Sequence, residues 1–344
     1  MNKLLLSFIT LLAGLSISFA GNPDRQGEAG AYELLMNPWA RSAGVNALNG
    51  ASVKGVEALF VNPAGLSRIT KTEVGFSHSR WLVPSGLSLN ALGIAQRVGK
   101  SGVLGIGLTS LGFGDIRVTT TNNPEGTGAT YSPNFFNIGI GYSHNFADKV
   151  TVAVLFRGIS EAIQDVSAFG FGIDAGVQYV AGQDNQFKLG IALKNIGSPM
   201  RFSGEGLSKQ LISEAGHVLT YDVRLSKFEL PSLLNISLSY DFNFSNFLKL
   251  TPMANFTSNS FGRDEVGAGV ELDFGKYFML RGAYTYEIGD KTTALPGVYT
   301  GLSAGLTLST PMKKKSDNMI NFDYAYRATN PFQGTHNLGV RLSF

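Results

Sequence analysis

The sequence contains no cysteine. That excludes a disulfide framework, a thiolate metal site, a cysteine nucleophile and a lipidated N-terminal Cys. Charge is scarce as well: Asp, Glu, Lys and Arg make up 15% of the 344 residues, against about 25% in ordinary soluble domains. A soluble globule of this length needs more charge to cover its surface. Beyond residue 20 no uninterrupted apolar run reaches the roughly 18 residues of a membrane-spanning helix. The formal net charge is only +3, or +2 without Lys3, so nothing points to nucleic acid as a partner. The four histidines, His78, His144, His217 and His336, lie far apart, and none forms a zinc-binding pair with a carboxylate. No Gly-x-Ser-x-Gly elbow lies between a strand and a helix. The expectation is a non-enzyme with no catalytic, cofactor-binding or metal site.

Glycine and aromatics are plentiful, with 42 Gly, 24 Phe and 12 Tyr. With 44% of the chain hydrophobic, disorder is excluded. The first twenty residues place Lys3 ahead of an apolar segment, Leu4 to Ile17, and end on Ser18-Phe19-Ala20. That is the pattern of a cleaved secretory signal peptide. The organisation read from the sequence is therefore a signal peptide at 1–20, a non-alternating segment at 21–71 and a strand-rich region at 72–344.

From about residue 72 onward the side chains alternate strictly, the period of a strand with two unlike faces. Val298, Thr300, Leu302, Ala304, Leu306 and Leu308 share one face, for instance, and Tyr299, Gly301, Ser303, Gly305, Thr307 and Ser309 the other. Fourteen such segments occur, at 72–82, 87–98, 102–112, 134–144, 149–159, 169–180, 186–196, 232–242, 247–257, 265–274, 277–288, 298–309, 318–327 and 335–344. Each is close to the 9–11 residues that a tilted strand needs to cross a bilayer. Residues 218–229 are read as loop.

The connectors after the second, fourth, sixth, eighth and tenth strands are short. Those at 113–133, 160–168, 197–231, 258–264, 289–297 and 328–334 are longer. Short periplasmic turns and long extracellular loops are the outer-membrane barrel pattern. Two connectors depart from it: Val83–Gly86 is short for a loop, and 310–317, with Lys313, Lys314 and Lys315, is long for a turn. Fourteen strands enclose a lumen too wide for wall side chains alone to fill, so the apolar faces must look outward at lipid. The fold class expected is an all-β transmembrane antiparallel barrel of about 14 strands.

Aromatics near strand ends, Trp81, Tyr131, Phe135, Tyr179, Phe242, Phe247, Tyr277, Tyr299 and Phe344, fit interfacial girdles. The last strand ends on Phe344, with Leu338, Val340 and Leu342 at every second position before it. This resembles the C-terminal signal read by the barrel assembly machinery. Gly-x-Gly strings at 105–107, 170–172 and 267–269 lie inside strands and suit close packing rather than phosphate binding. Arg157, Lys188, Lys194, Glu271, Asp273, Arg281 and Glu287 fall on the inner face, where packing against a plug is the default role.

Residues 21–71 suit a partly helical plug or hatch. Glu28–Met36 and Val53–Phe60 have helical character, and Asn37-Pro38 and Asn62-Pro63 interrupt the chain. Arg41 is the plug residue best placed to meet an inner carboxylate, and Asn62 and Pro63 to fix the turn into the first strand. The runs Tyr32-Glu33-Leu34-Leu35, Ala40-Arg41-Ser42-Ala43-Gly44 and Glu57-Ala58-Leu59-Phe60-Val61-Asn62-Pro63-Ala64-Gly65-Leu66 resemble the opening of the PorV/PorQ family. Those are 14-stranded outer-membrane barrels of Bacteroidota, related in fold to the FadL fatty-acid transporters.

The resemblance implies an exported outer-membrane accessory protein of type IX secretion. It would bind the translocon barrel, secreted cargo proteins, or both, through loops 113–133 and 197–231, with the first offering an edge for β-addition. The competing expectation is a FadL-like transporter of hydrophobic small molecules with a lateral opening in its wall.

Overall fold

A computed structural model of the chain describes residues 21–344 apart from 215, 246, 290–296 and 314–317. The signal-peptide reading at 1–20, most of connector 289–297, and Lys314 and Lys315 therefore lie outside the described residues. The barrel strands are β1 (Thr72–Trp81), β2 (Leu87–Val98), β3 (Gly102–Gly112), β4 (Asn134–Phe146), β5 (Val150–Ile163), β6 (Val166–Ala181) and β7 (Phe187–Gly197). They continue with β8 (Leu233–Tyr240), β9 (Leu248–Asn259), β10 (Glu265–Phe274), β11 (Phe278–Glu287), β12 (Tyr299–Pro311), β13 (Met319–Thr329) and β14 (Thr335–Ser343). Each pairs antiparallel with the next, and β14 returns to β1 over the register Glu73↔Ser343 to Arg80↔His336. The sheet closes on itself. The fourteen strands read from the alternation are the fourteen strands of this transmembrane barrel.

The two faces separate as lipid on one side and protein on the other require. Along β4, Phe136, Ile138, Ile140 and Tyr142 are exposed on the outside, while Asn137, Gly139, Gly141 and Ser143 are buried inside. Phe156 and Phe171 are 62% and 64% exposed, a cost in water that disappears against acyl chains. Leu338, Val340, Leu342 and Phe344 lie on this outer face of the closing strand. Inside, the wall is lined with small residues because the plug occupies the space. Gly105 faces Leu59 and Leu66 so closely that a Cβ there would lie 2.8 Å from Leu66. At Gly190 a Cβ would lie 2.5 Å from the Gly50 carbonyl oxygen, a backbone atom that cannot swing away.

Residues 21–71 form short helical pieces, Tyr32–Leu35, Ala40–Ala43, Leu48–Ala51, Gly55–Glu57, Ala58–Val61 and Pro63–Arg68. The helical reading of Glu28–Met36 thus shrinks to one turn, since Asn37-Pro38 stops propagation directly after it. Trp39, Val56, Leu59, Val61 and Leu66 form the central buried cluster with Ala91, Ala95, Val103 and Leu155 of the wall. Burying one such leucine contributes roughly 1.5–3 kcal/mol.

Three expectations need correction. Connector 160–168 is not a long loop: Ile163 pairs with Val166, leaving a turn of Gln164 and Asp165. Gln164 takes φ 51°, the positive φ that a primed two-residue hairpin turn requires. The apolar outer face of this strand ends at Gly158, Ser160 and Ala162 taking the next outward positions, while the strand itself continues to Ile163. Residues 218–229 are not all loop: Val218–Asp222 pairs with Ser208–Ile212 in a hairpin above the rim. Finally, Trp81, Phe135 and Tyr299 share the inner parity of their strands rather than an outer girdle. Trp81 Nε1 donates to the Tyr299 hydroxyl at 2.7 Å, and Phe135 packs edge-on against Phe113 at 4.9 Å. Tyr131 stands above the rim, in the short ladder Ile116–Arg117 with Thr130–Tyr131.

Candidate ligand site in the lumen

The plug is bolted to the wall by buried polar contacts. Asn62 has no exposed surface. Its Oδ1 accepts from the Ala64 amide at 3.2 Å, capping the turn that Pro63 begins. Its Nδ2 donates to the Gly50 carbonyl at 3.0 Å and to the Val177 carbonyl of β6 at 3.2 Å. Gln178 donates from the wall to the Gly50 and Val53 carbonyls, each at 3.0 Å. Ser143 donates to the Ala64 carbonyl at 3.0 Å, Gly65 packs on the Val53 backbone and Leu66 is fully buried.

On the opposite wall lies a network of buried ions. Arg41 Nε stands 3.6 Å from Glu271 Oε1, and Arg281 Nε 3.5 Å from the same oxygen. Arg341 Nε lies 2.8 Å from Asp323 and 3.3 Å from Glu57 of the plug. Three guanidiniums and three carboxylates therefore balance among largely buried side chains, where an unpaired charge is expensive. Arg157 pairs with Asp174 at 2.6 Å, and Lys194 lies 4.0 Å above the Phe60 ring.

Above the plug, a vestibule of about 410 Å³ faces the long-loop rim. Tyr32, Leu35, Met36, Phe60, Leu233 and Phe261 supply its apolar surface. Asn235, Asn255, Lys194, Glu265 and Arg327 supply polar groups. A second cavity of about 370 Å³ shares Asn46, Arg263, Glu265, Glu287, Tyr299 and Arg327 with it. This second space reaches the outer face of the wall, because outward Tyr284 and Leu302 also line it. The reason is a break in pairing. The β11–β12 ladder runs from Phe278↔Leu308 only to Tyr284↔Leu302, although β11 continues to Glu287 and β12 starts at Tyr299. A register shift in β12 against β13 between Tyr299 and Ser303 accompanies it. Asn46 of the plug ties to this seam by donating to the Gly301 carbonyl at 2.7 Å and accepting from Arg327 Nε at 3.1 Å. None of this is visible in the alternation, which continues unchanged through the seam.

No protein-family model matches the chain, and no curated protein matches it in sequence. Solved structures do. A TodX monoaromatic hydrocarbon channel, a deltaS2S3 mutant, superposes with TM-score 0.59 at 14% identity, covering 89% of this chain and 98% of that one. The toluene transporter TbuX of Ralstonia pickettii gives 0.54 at 14% identity, covering 89% and 97%. A FadL homologue of Pseudomonas aeruginosa gives 0.51 at 13% identity, covering 89% and 97%. This chain has the FadL-like fold. Identities this low carry the architecture of a FadL-like barrel and leave its cargo to be argued from the lumen. Among the described residues, no three His, Asp or Glu side chains group as a metal site would.

The mouth of the FadL-like lumen also carries a titratable contact. Glu33 of the plug is buried against Glu161 and Asn137 of the wall. Burial, and then the Glu161 carboxylate, push the Glu33 carboxyl up to about 8. The docked segment therefore holds a proton that the undocked segment releases near the ordinary glutamate range. Docking of residues 29–36 is strongest below that range, weakens as pH rises towards 8, and levels off above it. Hydrogen exchange of this segment, compared with Glu33→Gln at the same pH, should show the parent losing protection steadily from about pH 5 to 8. Equal protection at every pH would refute the proton held by docked Glu33.

Proposed function

We propose that this chain is an outer-membrane barrel that admits a small hydrophobic molecule into its vestibule and releases it sideways between β11 and β12. The observation that carries this reading is the second cavity, which shares lining residues with the vestibule and reaches the outward Tyr284 and Leu302 where the β11–β12 ladder stops, with Tyr284, Tyr286, Val298, Tyr299 and Leu302 as its apolar lining. The solved barrels that it resembles include hydrocarbon channels, which supports the same class of cargo. Leu338, Val340, Leu342 and Phe344 are then the outward signal for the barrel assembly machinery, and outer-membrane lipid is the surrounding partner. Liposomes containing the folded barrel should take up toluene or octanoate faster than protein-free vesicles. A folded, inserted protein that passes neither would sink the proposal.

A second reading is favoured by one observation. The hairpin Ser208–Ile212 with Val218–Asp222 is exposed throughout and presents Ile212, Val218 and Leu211 at 77%, 63% and 55% exposure. Such a surface suits a protein partner, as a type IX secretion accessory would require for its translocon barrel or cargo. Tagged protein isolated from native membranes decides between them. The secretion reading expects a larger barrel or secreted cargo to co-purify and to be lost when 208–222 is deleted, whereas the transport reading expects uptake to survive that deletion.

A further inference from the structure

The cavity beneath the plug differs from the vestibule in size, position and charge. It holds about 120 Å³ at the periplasmic end, between the plug and the first residues of β7 and β9. Five cations line it, Arg41, Lys54, Arg68, Lys188 and Lys249, against the carboxylates of Asp241 and Glu271. The pairings leave an excess. Lys188 is 2.5 Å from Asp241, Lys249 is 2.6 Å from Asp273, and Arg41 shares Glu271 with Arg281. Behind them Arg341 sits between Asp323 and Glu57, so those carboxylates are taken. Glu73, the remaining carboxylate near Lys54, accepts from the Val56 amide at 2.9 Å and from the Ser343 hydroxyl at 3.3 Å.

The side chains of Lys54, which is exposed, and of Arg68, which is half-buried, have no hydrogen bond or ion pair among the described residues. Arg68 Nη2 and Ser52 Oγ are buried polar atoms without a partner, and both residues line this cavity. Buried polar atoms normally find partners, and cations without a carboxylate partner form charge-assisted hydrogen bonds with an anion. We propose that this cavity is a binding site for a free oxyanion, phosphate or a small carboxylate, entering from the periplasm and held by Lys54, Arg68 and the Ser52 hydroxyl. The site is independent of the transport reading. The Arg41 charge is the largest cause that pulls the Lys54 ammonium down to about 8, although that side chain is exposed.

The test uses the full-length barrel in neutral detergent, titrated with inorganic phosphate and with acetate against chloride at equal ionic strength. Phosphate should bind saturably and raise the thermal unfolding midpoint, while chloride does neither. Lys54→Met and Arg68→Met should each weaken phosphate binding about tenfold or more, and Arg68→Lys should restore part of it. Lys276→Met, on an exposed periplasmic turn, should bind like the parent. Removing unpaired Lys54 breaks no described contact, so this variant remains informative even where Arg68→Met fails to fold. Phosphate behaving as chloride, or Lys54→Met binding as the parent, overturns the proposal. So does binding only to phosphatidylglycerol micelles, which would assign the contact to a lipid headgroup.

Discussion

Oxidising a cysteine pair placed at Tyr286→Cys and Thr300→Cys should reduce liposome uptake to that of protein-free vesicles, and reductant should restore it. Continuing the β11–β12 register two residues beyond Tyr284↔Leu302 brings positions 286 and 300 opposite each other. The ladder stops short of these positions, so the disulfide forms only when the two strands draw together to the Cα separation of about 5.5–6 Å that such a bond needs. The parent chain has no cysteine, so the staple has no competing thiol. The bond closes the seam and leaves the vestibule above the plug unchanged. Binding without passage is therefore the signature of a sideways exit. Equal uptake by oxidised and reduced protein would show that cargo does not leave between these strands.

Asp323→Asn should lower the stability of the folded barrel by about 3–5 kcal/mol, the cost of leaving a buried charge without its partner. Asp323 accepts from Arg341 at 2.8 and 3.2 Å, receives the Thr307 hydroxyl, and lies 4.0 Å from Arg281. Neutralising it leaves Arg281 and Arg341 facing only Glu271 and Glu57. The measurement is the temperature at which the folded band converts to the unfolded band on a detergent gel. Asp323→Asn combined with Arg341→Met should recover much of the loss, because it removes the stranded cation as well as its partner. A single variant that melts with the parent would mean that water reaches this network and screens it.

Strand number was readable because lipid outside and a plug inside impose opposite chemistry on successive residues, as at Phe136 to Ser143. The same signal failed where the outer residues changed. From Gly158 to Ala162 the outward positions are Gly, Ser and Ala, so the apolar alternation fades while the hairpin goes on. Trp81 and Tyr299 were misassigned because an aromatic near a strand end suits a girdle or a lumen rim equally well, and only parity tells them apart.

What the sequence alone determined is the barrel: period-two alternation with apolar faces, repeated fourteen times, has one solution in which every backbone group is paired and every apolar face meets lipid. What only the tertiary structure decided is the lumen. Nothing in the sequence selects Glu271 as the neighbour of Arg41, leaves Lys54 and Arg68 over a cavity, or stops the β11–β12 ladder at Tyr284. The ion pair and the cavity lining arise when closure brings plug residues against wall residues more than a hundred positions away, and the end of the ladder is set by register within one hairpin. Contacts at that range depend on shape and register, which alternation does not encode.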